Sequence, residues 1–166
     1  MILFIPKLFD EMRCTELNRI AIDYHARNSL SFEGKDYHYG NSFGTARIPE
    51  YEKVLQELTP IIKLKTGYHN MVIENSYTRI YLNGADLKKH TDRIGLDVTL
   101  SVCTFNDINK PWPLYVTDLN GQTQAIETAP GDGALILGTR YPHWRDKLEI
   151  AEHQKVIQSF YHWKFV

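Results

Sequence analysis

His90, Thr91 and Asp92 place an imidazole and a carboxylate two positions apart. In an extended strand, residues i and i+2 point to the same side, so the pair converges on one point. A second imidazole from elsewhere in the chain completes a set of two histidines and one carboxylate. Such a set covers one face of a divalent metal. It leaves positions open for a chelating co-substrate and O2, the arrangement that suits non-haem Fe(II). His143 is the first choice for the second imidazole: it follows the apolar run Ala134–Leu137 and the turn Gly138-Thr139, 53 positions after His90. His153 and His162 are the competing ligands, and His162 is expected to pack beside Phe160. With seven histidines and ten aspartates in the chain, chance alone supplies roughly 0.4 His-x-Asp pairs, so the motif draws its weight from its surroundings.

Those surroundings are mainly β. The first 65 residues hold two helical patterns. Over residues 8–26, Leu17, Ile20 and Tyr24 recur at helical spacing after Asp10 as N-cap. Over residues 49–63, Pro49 opens a helix whose apolar stripe is Tyr51, Val54, Leu55, Leu58, Ile61 and Ile62, ended by Thr66-Gly67. Residues 28–47 between them are rich in Ser, Gly, Asn and Tyr and read as a loop, with Tyr37, Tyr39 and Phe43 placed to close over a site. From about residue 70, short runs of β-branched and aromatic residues alternate with turn signals. Strands are predicted near 70–82, 96–105, 112–117, 122–128, 133–138 and 154–165, with a short one at 90–93. Asn83-Gly84 and Asn120-Gly121 are turn dipeptides, the second predicting a hairpin; Pro130-Gly131-Asp132-Gly133 is a further turn. Helices followed by many short strands imply a β-sandwich or small barrel with the helices on one face.

The run NSYTRIYLNGADLKKHTDR from Asn75 to Arg93, then Pro130-Gly-Asp, then Tyr141-Pro-His-Trp-Arg145, resembles the Fe(II)/2-oxoglutarate oxygenases of the prolyl-hydroxylase-like group. The resemblance covers residues 70–166 and, more weakly, the N-terminal helices. It implies a double-stranded β-helix (jelly roll), mainly β, with two helices packed on one face. It makes the chain a single oxygenase domain, 1–68 its helical part and 69–166 its jelly-roll core. It implies that His90, Asp92 and His143 hold Fe(II), and that 2-oxoglutarate and O2 are consumed to hydroxylate a substrate, with succinate and CO2 released. The substrate class is a prolyl or other peptidyl side chain, or a small amino-acid-like molecule. The distal carboxylate of 2-oxoglutarate needs a cation. Lys155, twelve positions after His143, is the first candidate, Arg145 the second and Arg79 the third, with Tyr81 as a hydrogen-bonding partner. Trp112, Tyr115 and Arg93 are candidates for the substrate pocket.

Composition narrows the alternatives. A chain of 166 residues, 43% hydrophobic, fits one domain with a real core. A net charge of −1 argues against a general electrostatic grip on nucleic acid, and Lys88-Lys89 is too small a patch for one. No apolar run nears the roughly 18 residues of a membrane helix. The N-terminus lacks the basic and small-residue features of a signal peptide. Cys14 and Cys103 read as free thiols, so an intracellular (cytoplasmic) protein is expected. Two further readings stand beside the oxygenase. One is a non-catalytic binding module on the same jelly roll. The other is a cupin-like metal enzyme, which His-x-Asp fits less well than His-x-His.

Overall fold

A computed structural model describes residues 1–32, 41–108 and 110–166. The elements run β1 (Ile2–Ile5), α1 (Glu11–Phe32), β2 (Ser42–Ala46), α2 (Pro49–Thr66), β3 (Met71–Tyr81), β4 (Leu87–His90), β5 (Val98–Asn106), β6 (Leu114–Thr117), β7 (Thr123–Ile126), β8 (Gly133–Ile136), β9 (His143–Arg145) and β10 (Val156–Phe165). They form two antiparallel sheets. The larger has the order β1-β8-β5-β10-β3-β2 and the smaller β4-β9-β6-β7. This is a jelly roll flanked by two helices.

The burial of each strand follows from what covers it. β5 is buried along seven successive residues because it is covered on both faces. Helix α1 lies against it on one side, while Leu114 and Val116 of the small sheet join the same core from the other. β6 is covered on one face only, so Leu114 and Val116 are buried and Tyr115 and Thr117 are half-exposed. The two helices are fixed by their ends and stripes. Asp10 caps α1, its Oδ1 accepting from Arg13 N–H at 2.8 Å. α2 starts with Pro49 and ends at Gly67, whose φ of 73° lets its N–H close on Lys63 C=O. Tyr51, Val54, Leu55, Leu58 and Ile62 face the sheet, and Trp163 of β10 donates its indole N–H to Thr59 Oγ at 2.9 Å.

Several elements differ from the sequence reading. Ile61 points outward, 43% exposed, at the edge of the helix stripe. Helix α1 runs on to residue 32, and part of the expected 28–47 loop is the edge strand β2, paired with β3. Gly44 hides that strand from a propensity reading, yet it is needed there: a Cβ would collide with the Tyr77 hydroxyl and lie 2.8 Å from an Arg79 nitrogen. Phe43 stacks on His25, centroids 4.0 Å apart, while Tyr37 and Tyr39 lie outside the described residues. β1 pairs with β8 and was too short, before Pro6, to show a period. β9 has three residues and gave no signal of its own. The strand expected at 90–93 is β4, which ends at His90. The β6–β7 hairpin forms as expected, Asp118 Oδ1 accepting from Asn120 and Gln122 N–H groups. Among the described residues no helix is long and apolar enough to cross a membrane.

Trp163 is fully buried where β10 meets α2. Trp163→Ala is expected to cost about 3–5 kcal/mol of unfolding free energy, measured by urea denaturation, through the cavity it leaves. A loss below about 1 kcal/mol would mean that α2 does not rest on this residue.

Candidate metal centre

The backbone pairs the two histidines before any side chain acts. β4 and β9 are hydrogen-bonded neighbours, and His90 lies opposite His143 in their register. The ring centroids are 4.4 Å apart. Asp92 reaches the same point by a different route from the one the spacing implies, since it lies two residues past the end of β4. Its N–H donates to Gly138 C=O at 2.9 Å, which ties the chain after β4 to the turn between β8 and β9. Asp92 Oδ1 then sits 3.7 Å from His90 Nε2 and 3.5 Å from His143 Nε2. The three donor atoms lie within 4.8 Å of one another.

Hydrogen bonds on their far sides orient these donors. His90 Nδ1 lies 2.7 Å from Lys88 C=O, and His143 Nδ1 lies 2.9 Å from Tyr141 C=O. A carbonyl only accepts, so each Nδ1 donates to it and each Nε2 is the nitrogen turned toward Asp92. Thr99 Oγ donates to Asp92 Oδ2 at 2.6 Å, which orients the carboxylate with Oδ1 toward the histidines. Burial raises the Asp92 carboxyl, but hydrogen bonds from His143 and His90, with Thr99, outweigh it and hold the group well below the usual carboxylate range. Burial lowers the affinity of His90 for a proton. Its contacts with Asp92 and the Lys88 carbonyl more than offset that and leave its pKa raised. A carboxylate flanked by two imidazole nitrogens is a donor set for a divalent cation of the Fe(II) kind.

Thr99 and Gly138 support the site and were not singled out from the sequence. A Cβ on Gly138 would overlap Asp92 Oδ2 and stand 2.6 Å from Thr99 Oγ. The available signal was a glycine between a buried strand and a histidine, which reads as an ordinary turn.

A cavity of about 480 Å3 opens over the three donors. Of the residues expected around the site, Tyr81, Arg79 and Arg93 line it. Arg79 is buried, with its guanidinium hydrogen-bonded to Ser42 Oγ at 2.7 Å and to the Tyr77 hydroxyl. Arg145 shares a face of β9 with His143 and is 2% exposed. It stands behind the cavity wall, opposite Leu87 and against Trp112, whose carbonyl takes one of its nitrogens. Its Nε and other terminal nitrogen have no hydrogen-bond partner among the described residues. Burial holds its pKa below the ordinary guanidinium value.

The remaining three candidates fall outside the lining. Lys155 precedes β10, its Nζ 5.7 Å from the Phe105 ring centre and its N–H on Asp107. Trp112 sits edge-on behind Tyr81, centroids 4.8 Å apart, with its indole N–H on Asp146 C=O. Tyr115 is on the outer face of the small sheet, stacked on Trp144.

No protein-family model matches the sequence, and no curated protein matches it. Solved structures do. A Pseudomonas putida prolyl-4-hydroxylase superimposes with a TM-score of 0.74 at 13% identity, covering 99% of this chain and 93% of its own. SnoK, a non-haem α-ketoglutarate-dependent carbocyclase from nogalamycin biosynthesis, gives a TM-score of 0.76 at 12% identity, covering 98% and 79%. HygX from Streptomyces hygroscopicus, with nickel and 2-oxoglutarate bound, gives 0.68 at 11%, covering 97% and 82%. The chain has the fold of the Fe(II)/2-oxoglutarate oxygenases. At such identities the likeness is one of architecture, and the chemistry rests on the site itself.

His90→Ala, Asp92→Ala and His143→Ala are each expected to weaken Mn(II) binding more than about 100-fold in calorimetric titration. Equal affinity in wild type and His143→Ala would remove His143 from the site. Gly138→Ala and Thr99→Val touch no metal directly and are expected to weaken binding about 10- to 100-fold by displacing Asp92. Unchanged affinity in Gly138→Ala would show that the carboxylate does not need this close approach.

Proposed function

We propose that the protein is an Fe(II)/2-oxoglutarate-dependent dioxygenase, a hydroxylase acting on a prolyl or peptidyl side chain or on a small amino-acid-like substrate. The observation that carries this reading is the convergence of His90 Nε2, His143 Nε2 and Asp92 Oδ1 at the cavity floor. Each is turned inward by a hydrogen bond on its far side. Fe(II), when bound there with 2-oxoglutarate and O2, supplies the oxidising power for hydroxylation, with succinate and CO2 released. His90, Asp92 and His143 would hold the metal by three donors on one side and leave the cavity side for co-substrate. The cavity walls limit access of water.

Arg145 is the preferred anchor for the distal carboxylate of 2-oxoglutarate. A buried guanidinium with two nitrogens unpartnered among the described residues is costly, and a co-substrate carboxylate that reached it would relieve that cost. Its place two residues along β9 from His143 suits a short dicarboxylate. Arg79 already spends its donors on Ser42 and Tyr77, and Lys155 faces Phe105.

Succinate release from 2-oxoglutarate under Fe(II) and O2, with and without candidate peptides and amino acids, tests the activity; its absence in wild type under all conditions would favour a binding module. In the same assay, Arg145→Ala is expected to lose about 2–5 kcal/mol of co-substrate binding, read as a raised KM for 2-oxoglutarate with Mn(II) affinity unchanged. Lys155→Ala should behave as wild type. Loss of co-substrate binding in Lys155→Ala or Arg79→Ala, but not in Arg145→Ala, would move the anchor to that residue.

A further inference from the structure

The cavity over the metal centre has a covered floor and a charged mouth. The side chains of Asp92 and His143 at the floor are 12% and 6% exposed, whereas those of Arg47 and Arg93, which line the same cavity, are 57% and 59% exposed. Among the described residues the lining holds three arginines, Arg47, Arg79 and Arg93, and one carboxylate, that of Asp92. That carboxylate faces the metal position, so the approach to the site is positively charged.

The backbone fixes both exposed arginines. β2 ends at Ala46, and Arg47 turns the chain toward α2 with a φ of 58°, in the left-handed region that a residue with a Cβ adopts at a cost. Its N–H donates to Ser76 C=O at 3.1 Å, and Ser76 is held in turn by Glu52 Oε1, which accepts from its N–H and its hydroxyl. Glycine would take this conformation freely; arginine there is a strained choice of the kind found at functional sites. Arg93 directly follows Asp92. Its C=O accepts from Leu96 N–H at 3.1 Å, and Gly95, with a φ of 93°, meets the demand of such a turn for a positive φ at its third residue.

Glu74 ties the two arginines together. It is left without a ladder partner where the register of β3 and β10 shifts, His162 pairing with Asn75 and Trp163 with Ile73. Its Oε1 lies 3.3 Å from Arg93 and 3.8 Å from Arg47, and its Oε2 lies 3.2 Å from Lys164. One oxygen serves both guanidinium groups, so they stand side by side. The Glu74 side chain is only 17% exposed and is not part of the cavity lining, which puts it behind the arginines. Its single charge does not neutralise three cations. Arg93 makes one further bond, to Ile94 C=O, and Arg47 has no second side-chain partner among the described residues. A guanidinium carries more N–H donors than these contacts use. Between mouth and floor, Tyr77, Phe160 and Leu96 give the wall an apolar, largely aromatic surface.

We propose that Arg47 and Arg93 form an anion subsite at the cavity mouth, selecting a small substrate that carries a carboxylate or phosphate on an apolar body. The anionic group bridges the two guanidinium groups, and the body lies along Tyr77, Phe160 and Leu96 toward the metal. That this molecule is what becomes oxidised rests on the oxygenase reading above; its binding does not.

The test uses 15N-arginine-labelled protein loaded with Zn(II), titrated with and without 2-oxoglutarate. The probes are hexanoate, 3-phenylpropionate and phenyl phosphate, with hexanamide, 3-phenylpropanamide and phenethylamine as neutral and cationic counterparts. At least one anion is expected to move the Nε–H resonances of Arg47 and Arg93 while 2-oxoglutarate is bound. Its uncharged or cationic counterpart should bind at least about tenfold more weakly by calorimetry, and added salt should erase much of the difference. The order of the two acids against phenyl phosphate identifies the anionic group. Arg47→Gln and Arg93→Gln should each weaken the anion about tenfold and the amide little, with Zn(II) and 2-oxoglutarate affinity unchanged. Arg19→Gln, an equally exposed change on α1, should have no effect. Equal binding of anions and amides would overturn the proposal, as would the absence of any response at the two arginines. So would a loss of 2-oxoglutarate affinity in Arg47→Gln, which would make the arginine a co-substrate anchor. If anions bind as expected while no 2-oxoglutarate turnover occurs, the oxygenase reading fails and the subsite stands. If turnover occurs without discrimination between anions and amides, the subsite fails and the oxygenase reading stands.

Discussion

The hydrogen bond from Asp92 N–H to Gly138 C=O joins parts of the chain that no sheet pairing brings together. β4 and β9 already place His90 opposite His143, but β4 ends at His90 and leaves Asp92 without a ladder partner. The turn after β8 supplies one. The carboxylate then lies over Gly138, where no side chain fits, and Thr99 at the start of β5 fixes its second oxygen. Strands β4, β5 and β9, with the β8–β9 turn, thus meet at one carboxylate. Both sheets must be closed for this to happen, which is why a site of three side chains needs a jelly roll of ten strands. The arrangement is also a store of negative charge: the hydrogen bonds that keep Asp92 ionised against its burial are the same ones that orient it.

A second constraint is the cost of buried polar groups that the chain leaves unpaired. Arg145, Asn75 and His162 carry such atoms beside the metal cavity, and Asn18, Thr128, Ser159 and Tyr161 carry them elsewhere in the fold. Trp163, Tyr51 and the apolar stripe of α2 close the outer face of the large sheet. The unpartnered nitrogens of Arg145 call for a carboxylate.

The long elements were legible in the sequence because their patterns are long. β3, β5 and β10 carry nine or more residues each of mostly buried character, and α2 has a stripe, an opening proline and a closing glycine. The four-residue strands β6, β7 and β8 were marked by the turn signals around them, but three other short elements were not. β1, β2 and β9 have three to five residues, too few to show a period, and β2 contains a glycine that propensity counts against a strand. The candidate site split in the same way. His90, Asp92 and His143 could be named from residue type and spacing, although Asp92 arrives by a turn contact instead of a strand face. The directions of the candidate cations could not, because they depend on register. Lys155 sits just before β10 and turns to Phe105, while Arg145 keeps the face of His143. Gly138 and Thr99 were invisible as residues supporting the candidate site, since each is ordinary in type and gains its place from what lies across the fold.

The most direct test of the account is an anaerobic spectrophotometric titration of the purified protein with Fe(II) and 2-oxoglutarate. The three donors predict a weak visible charge-transfer band that needs both components, saturates at one Fe(II) per chain and disappears in Asp92→Ala. They also predict that 2-oxoglutarate binding is lost when the metal is chelated. Absence of the band in wild type, or 2-oxoglutarate affinity unchanged after chelation, would contradict the assignment of His90, Asp92 and His143 as an Fe(II) centre.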